Sequence, residues 1–219
     1  YPIIKAVPSE RQLLLFSATL RKEVMEKARS LMESPALINL VARTRTASTL
    51  EHIFFMAEER MKTKVLQELA AILQPNRALV FINHNEGVGG LTKGLEQLGL
   101  STAGLHSAQS DQERKRVLEL FRRGKVRYLV TTDLLARGLD VPGIDYVFNY
   151  DVPFNEEHYI HRVGRTGRAG NKGVAVTLVT TGQKFIMGKY SKQLKVPIKE
   201  YGIAKGKVFP VVRKVERHD

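Results

Sequence analysis

Cysteine is absent from all 219 residues. That excludes a disulfide framework and thiolate metal sites, and it is the usage expected in a reducing intracellular compartment. No apolar run approaches the ~20 residues of a membrane span and no signal peptide opens the chain, so no membrane partner is expected. Acidic residues are the minority, with 22 Asp+Glu against 35 Lys+Arg and a net charge of +13. Such a surplus points to a polyanionic partner, most often nucleic acid; a merely solvated basic surface is the plain alternative. The length suffices for one full domain with a sizeable core and a piece of a second.

The chain alternates strands and helices. "RKEVMEKARSLM" (21–32) has helical spacing, and "PALINL" (35–40) reads as a strand. "VARTRTASTL" (41–50) lacks periodicity and is rich in Thr, Ser and Arg, the composition of a linker. Strands are then expected at 52–57, 78–82, 101–106, 126–132, 145–150 and 173–179. Helices are expected at 62–73, 86–98, 110–124, 155–165 and 181–194. Short apolar strands alternating with helices of ten or more residues imply parallel pairing and a doubly wound α/β sheet with helices on both faces. Ser110 and Glu113 have capping-box spacing at the head of the third of these helices. The basic end, from about 204 to 219, reads as a tail.

In such a sheet, ligands sit beyond the carboxyl ends of the strands. There the sequence places "VTTDLLARGLD" (130–140), "NYDVP" (149–153) and "HRVGRTGRAG" (161–170). In the last, Arg162, Arg165 and Arg168 recur at every third position between glycines. Arginine offers a planar, bidentate donor fork that suits phosphate better than lysine does. A triphosphate or a nucleic-acid backbone therefore explains the spacing. The "GVGG" of 87–90 is no dinucleotide fingerprint, because Thr92 stands where the third glycine belongs. His158 and His161 have no third ligand nearby, so no metal site is expected on them.

Ser17-Ala18-Thr19, "TTDLLARGLD" and "HRVGRTGR", in this order, resemble the DEAD-box RNA helicases of superfamily 2. The resemblance spans roughly residues 1 to 200. It implies that 1–40 end a first RecA-like domain, 41–50 link, and 51–203 form a second RecA-like domain. The chain holds neither a GxxxxGK[ST] loop nor a DEAD-type acidic motif. On this reading it is a fragment, and ATP with its Mg2+ would be gripped by an absent first domain.

By the same resemblance, Arg165 and Arg168 would be arginine fingers reaching the γ-phosphate. Asp140 would accept from the ATP ribose, with Gly138 keeping the backbone low beside it. Ser17, Thr19 and His161 would couple nucleotide state to domain closure. Arg114, Thr132 and the strand-end backbone near Phe81 and Asn83 would touch RNA phosphates and sugars. The implied activity is ATP-dependent local unwinding of RNA in the full-length parent, in the cytoplasm or alternatively the nucleus. A DNA-directed superfamily 2 helicase and a non-catalytic RNA chaperone are the rivals. Three departures from the family pattern stand out, all on the expected RNA face: Asp111 for Gln, Ser107 for Gly, and His84-Asn85 where Thr-Lys is common.

Overall fold

The computed structural model describes residues 6–8, 10–16, 22–38, 49–137, 139, 141–168 and 170–211. The chain divides into two compact units, Tyr1–Arg45 and Thr46–Asp219. In the described part of the first, the helix α1 (Lys22–Leu31) carries Glu23 in its first turn and Arg29 in its last. Both signs suit the helix dipole. The described residues on either side, 10–16 and 35–38, form no strand, so the strand expected at 35–40 is not found in its described part. Residues 39–40, the rest of that strand, and 41–48 of the expected linker lie outside the described residues.

The second unit is built on one sheet. Its elements are β1 (Leu50–Met56), α2 (Lys62–Leu73), β2 (Ala78–Phe81), α3 (Gly87–Gln97), β3 (Thr102–Gly104) and α4 (Asp111–Arg122). Then follow β4 (Tyr128–Thr131), the short α5 (Asp133–Ala136), β5 (Tyr146–Asn149), α6 (Glu156–Val163), β6 (Gly173–Val179), α7 (Lys184–Leu194), β7 (Ile198–Ala204) and β8 (Lys207–Pro210). The sheet order is β3-β4-β2-β5-β6-β1-β7-β8. Every described pairing is parallel except β7 with β8.

The alternation of side chains along β2 shows why this is a doubly wound sheet. Ala78 and Val80 join a core with Leu66 and Leu69 of α2 and Val88, Leu91 and Leu95 of α3. Leu79 and Phe81 point the other way, into a core with Phe121 of α4. A third cluster joins Phe54 of β1 and Ala175 of β6 to Tyr159 and Val163 of α6 and Met187 and Tyr190 of α7. Strands covered on both faces have no polar side to show, hence the uninterrupted apolar runs in the sequence. The doubly wound α/β expectation holds.

The capping box also forms as read. The Glu113 backbone N–H donates to Ser110 Oγ at 3.3 Å, and the Ser110 N–H donates to the Glu113 carboxylate at 2.8 Å. The expected tail needs correcting, because part of it is structured. Residues 207–210 form β8, which closes an antiparallel hairpin on β7 from Tyr201↔Pro210 to Ala204↔Lys207. The segment from 212 on lies outside the described residues.

Candidate nucleotide and nucleic-acid rim

The carboxyl ends of β2, β4 and β5 are adjacent in the sheet, so the segments that leave them meet on one rim. The helix α6 follows β5 and returns across that rim. Asn155 caps it, its side-chain oxygen accepting from the His158 N–H at 2.9 Å. The helix ends at Val163, two residues short of the expected 165, and Gly164 caps it.

That helix end divides the three arginines. Arg162 is still helical, on the same inward stripe as Tyr159 and Val163, and it is 0% exposed. All three guanidinium nitrogens donate, making four hydrogen bonds. Nε donates to Asp133 Oδ1 at 2.8 Å, and Nη2 donates to Asp133 Oδ2 and Asn83 Oδ1, both at 2.7 Å. Nη1 donates to the Asp151 carbonyl at 2.9 Å. Its carbon lies 5.2 Å from the Phe81 ring centroid. Arg162 is therefore a buried clamp joining the ends of β2, β4 and β5, and it is not available to an outside anion. Burial alone would raise the Asp133 carboxyl. The bonds and charge of Arg162, with His158 3.3 Å away, more than reverse that and hold it below the usual carboxylate range.

Arg165 and Arg168 stand beyond the helix, Arg165 in a turn and Arg168 in irregular backbone. Arg165 is half-buried, and its Nη1 donates to the Leu139 carbonyl at 3.2 Å, which places it beside the segment that follows β4. Arg168 is exposed, with Nε donating to the Gly164 carbonyl at 2.7 Å. Between them Thr166 is buried. Its hydroxyl donates to the Ile144 carbonyl at 2.6 Å, with the Asp145 carbonyl at 3.1 Å. Gly167 has φ +68, a left-handed conformation that a side chain resists, and its carbonyl accepts from Thr49 Oγ1 at 3.3 Å. A Cβ on Gly173 would fall 2.3 Å from Thr166 Oγ1 and 2.5 Å from the Gly167 nitrogen. This arginine-bearing turn is thus moulded against the start of β6 and the residue before β1.

His161 is half-buried on α6. Burial lowers its pKa; Glu157 opposes this, while Arg137, His158 and Arg165 add to it. Ser17, Thr19, Gly138 and Asp140 lie outside the described residues.

Of the residues assigned to RNA, Arg114 sits in the first turn of α4, 36% exposed and 3.8 Å from the carboxylate of Asp111. An exposed pair at that distance holds the guanidinium only weakly. Thr132 occupies the cap position of α5 and is 7% exposed; its carbonyl accepts from the Ala136 N–H at 3.0 Å. Phe81 is 1% exposed, and its carbonyl already accepts from the Tyr150 N–H at 2.9 Å. Asn83 is bound on three sides. Its N–H donates to Asp151 Oδ2, its Nδ2 donates to the Val152 carbonyl, and its Oδ1 accepts from Arg162. Phe81 and Asn83 thus build the rim from beneath.

The sequence reading missed the network that does this. Lys62 is 1% exposed, with Nζ 2.8 Å from Glu59 and 3.5 Å from Asp151, extending the clamp to α2. The signal for Arg162 was available, since Tyr159, Arg162 and Val163 share one helical face. Two departures from the family pattern also prove to be partners. Asn85 Nδ2 donates to Ser107 Oγ at 2.8 Å, and the Ser107 N–H donates to Asn85 Oδ1 at 3.0 Å.

Residues 61–170 match the helicase conserved C-terminal domain. The ATP-dependent RNA helicase CshA of Listeria monocytogenes is 42% identical over 177 residues, 81% of this chain and 34% of that protein. The ATP-dependent RNA helicase DbpA of Bacillus subtilis is 40% identical over 182 residues, 83% of this chain and 38% of that protein. The chain therefore spans little more than a third of these relatives. Among solved structures, S. cerevisiae Dbp5 bound to RNA and ADP BeF3 superposes with a TM-score of 0.78 at 31% identity, covering 88% of this chain and 51% of that one. The E. coli DEAD-box protein SrmB bound to regulator of ribonuclease activity A gives a TM-score of 0.68 at 32% identity, covering 75% of this chain and 96% of that one. The sheet is a RecA-like domain, and the chain belongs to the helicase conserved C-terminal domain family in its DEAD-box branch.

Proposed function

We propose that residues 51–203 are the second RecA-like domain of an ATP-dependent RNA helicase. Residues 1–40 would be the end of the first such domain, 41–50 the linker, and the parent a cytoplasmic protein. One observation carries the reading. Two of the three arginines are presented beyond the end of α6, on a turn pinned by Thr166 and Gly167, while the third is buried beneath them. A guanidinium fork so held can meet charge that develops on a transferring phosphoryl group, an effect worth roughly 10³ to 10⁵ in rate in related enzymes. Arg165 and Arg168 are assigned that task. Gly138 and Asp140 are assigned to the ribose side of ATP, because Arg165 rests on the carbonyl of the intervening Leu139.

The described rim carboxylates are both engaged internally, Asp133 by Arg162 and His158 and Asp151 by Asn83 and Lys62. Neither fits the role of a free Mg2+ ligand, and the metal is assigned to the first domain. When bound there it would neutralise phosphate charge. His161, half-buried on α6 with its pKa lowered by burial, is assigned with Ser17 and Thr19 to sensing closure of the two domains. RNA would be held through its backbone, with the partly exposed Arg114 as a cation of that face. Thr132, Phe81 and Asn83 would serve by shaping the strand ends.

The test is made in the full-length parent. Arg165→Ala and Arg168→Ala should each lower RNA-stimulated ATP hydrolysis by at least 10³-fold while leaving nucleotide-free RNA affinity within about twofold. Arg114→Ala should weaken RNA binding and reduce its salt slope by roughly 0.7. Unchanged hydrolysis in both finger variants would sink the assignment. So would appreciable ATP turnover by the 219-residue chain alone.

A further inference from the structure

Phe154 is 61% exposed although it leaves the end of β5 on the same rim as Asn83 and Arg162. A single exposed phenylalanine needs no explanation. This one is different because ring-bearing residues of two other segments meet it. His84, from the segment after β2, stands 6.0 Å away at 77° between ring planes, and His158, in the first turn of α6, stands 6.1 Å away at 81°. Both imidazoles are perpendicular to the phenyl plane, so the three rings form one edge-on cluster.

The cluster is also fixed in place. The residue before Phe154 has its carbonyl held by the buried Tyr190 hydroxyl at 2.8 Å, and the Val152 carbonyl accepts from Asn83 at 3.1 Å. His158 is held at its backbone by Asn155 and at its ring by Asp133. The exposed ring is therefore presented by a rigid frame, and binding to it loses little conformational freedom.

Charge says what it is presented to. The molecule carries +13. The residue after His84 is Asn85, whose reciprocal bonds to Ser107 tie this loop to the one that leads through Ser110 into α4 and Arg114. That tie, with the His84–Phe154 ring contact, links the loop before α4 to the ring cluster. We infer that Phe154, braced by His84 and His158, is a stacking platform for one unpaired nucleobase of bound RNA. The inference rests on the RNA reading above and adds to it, because a backbone grip alone has no use for an open aromatic face. Stacking accepts any base, so the platform grips single strands without reading their sequence.

The test uses the 219-residue chain and a fluorescent oligouridine, with a second oligonucleotide of equal length that carries abasic sites throughout. Phe154→Ala should weaken binding of the intact strand roughly 5- to 150-fold, the range of one lost base stack. The salt slope should stay unchanged, because no phosphate contact is lost. Phe154→Trp should restore affinity and Phe154→Leu should not. The abasic strand should bind the wild type and Phe154→Ala equally.

Equal affinity of wild type and Phe154→Ala for the intact strand, with Arg114→Ala still weaker, would overturn the platform and leave the RNA reading standing. The apolar surface would then belong to a protein partner. Full rescue by leucine would equally overturn it. No binding of the intact strand by the wild type, even at low salt, would overturn the RNA reading and the platform together. Unchanged melting temperatures across the variants separate these outcomes from misfolding.

Discussion

Asn85 and Ser107 hold one another, amide to hydroxyl at 2.8 Å and backbone N–H to amide oxygen at 3.0 Å, across two loops that leave non-adjacent strands. Both positions depart from the family pattern, and each supplies what the other needs. A cation at 85 would have no side-chain acceptor in a glycine at 107, while this amide meets both a hydroxyl and an N–H. The two changes act as one unit.

They should therefore be non-additive. Asn85→Ala and Ser107→Ala should each cost about 0.5 to 1.5 kcal/mol in urea unfolding, the range of an exposed neutral hydrogen bond. The double variant should cost little more than the worse single one, since the partner is already lost. Strictly additive losses would mean that the bonds contribute nothing to the fold.

The three arginines of 161–170 should separate by assay. Arg162→Ala leaves the Asp133 carboxylate partly buried without its main partner, and should cost about 3 to 5 kcal/mol. Arg165→Ala and Arg168→Ala should change stability by less than about 1 kcal/mol and act on hydrolysis instead. Chemical denaturation of the three variants side by side checks this; similar stabilities for all three would remove the clamp role of Arg162.

Acid should weaken the domain through a histidine buried beneath the helix that crosses the rim. His52 is 3% exposed on β1, with Nδ1 2.9 Å from the Tyr159 hydroxyl, and burial pushes its pKa down to about 4. The folded value is depressed below the unfolded one near 6.5, so the unfolded chain binds a proton that the native state refuses. The contribution is complete above about pH 6.5 and is lost as the pH falls toward 4, roughly 3 kcal/mol in all. His161, also lowered, acts in the same direction. His52→Phe should flatten the pH dependence of the urea midpoint across this window; an unchanged slope would relocate its cause.

Gly173 should prove as important to the arginine turn as the residues within it. Alanine there meets Thr166 Oγ1 at 2.3 Å and the Gly167 nitrogen at 2.5 Å. Gly173→Ala should cost about 1 to 3 kcal/mol and lower ATP hydrolysis in the parent with RNA affinity retained. Adding Thr166→Ala should not rescue it, because the Gly167 backbone remains in the way. Rescue would show that only the threonine side chain was crowded.

The sequence told most where burial was complete. β2, β4, β5 and β6 are covered on both faces, so their apolar runs are continuous and unmistakable. β7 was not legible because "IKEYGIA" is half-buried along most of its length and mixes charge with apolar residues; it keeps only one neighbour that is itself central. β8 is four residues ending in proline. For the site, the motif spacing located the rim correctly but could not sort its arginines. A repeat of three means one face while a helix continues and nothing once it stops, and α6 stops between Arg162 and Arg165. Phe154 gave no signal, since an aromatic beside a proline reads as core until its exposure is known.

The two ends of the sheet have a consequence for recruitment. A parallel sheet left open would offer each flank as a template for a visiting strand. Here one flank is β3, only three residues long. The other is β8, which begins at Lys207, ends at Pro210 and runs against its neighbour's direction. Charge, brevity and a missing N–H all discourage a further strand. Among the described residues, then, neither flank of the sheet favours β-augmentation, and a visiting strand gains little from pairing here.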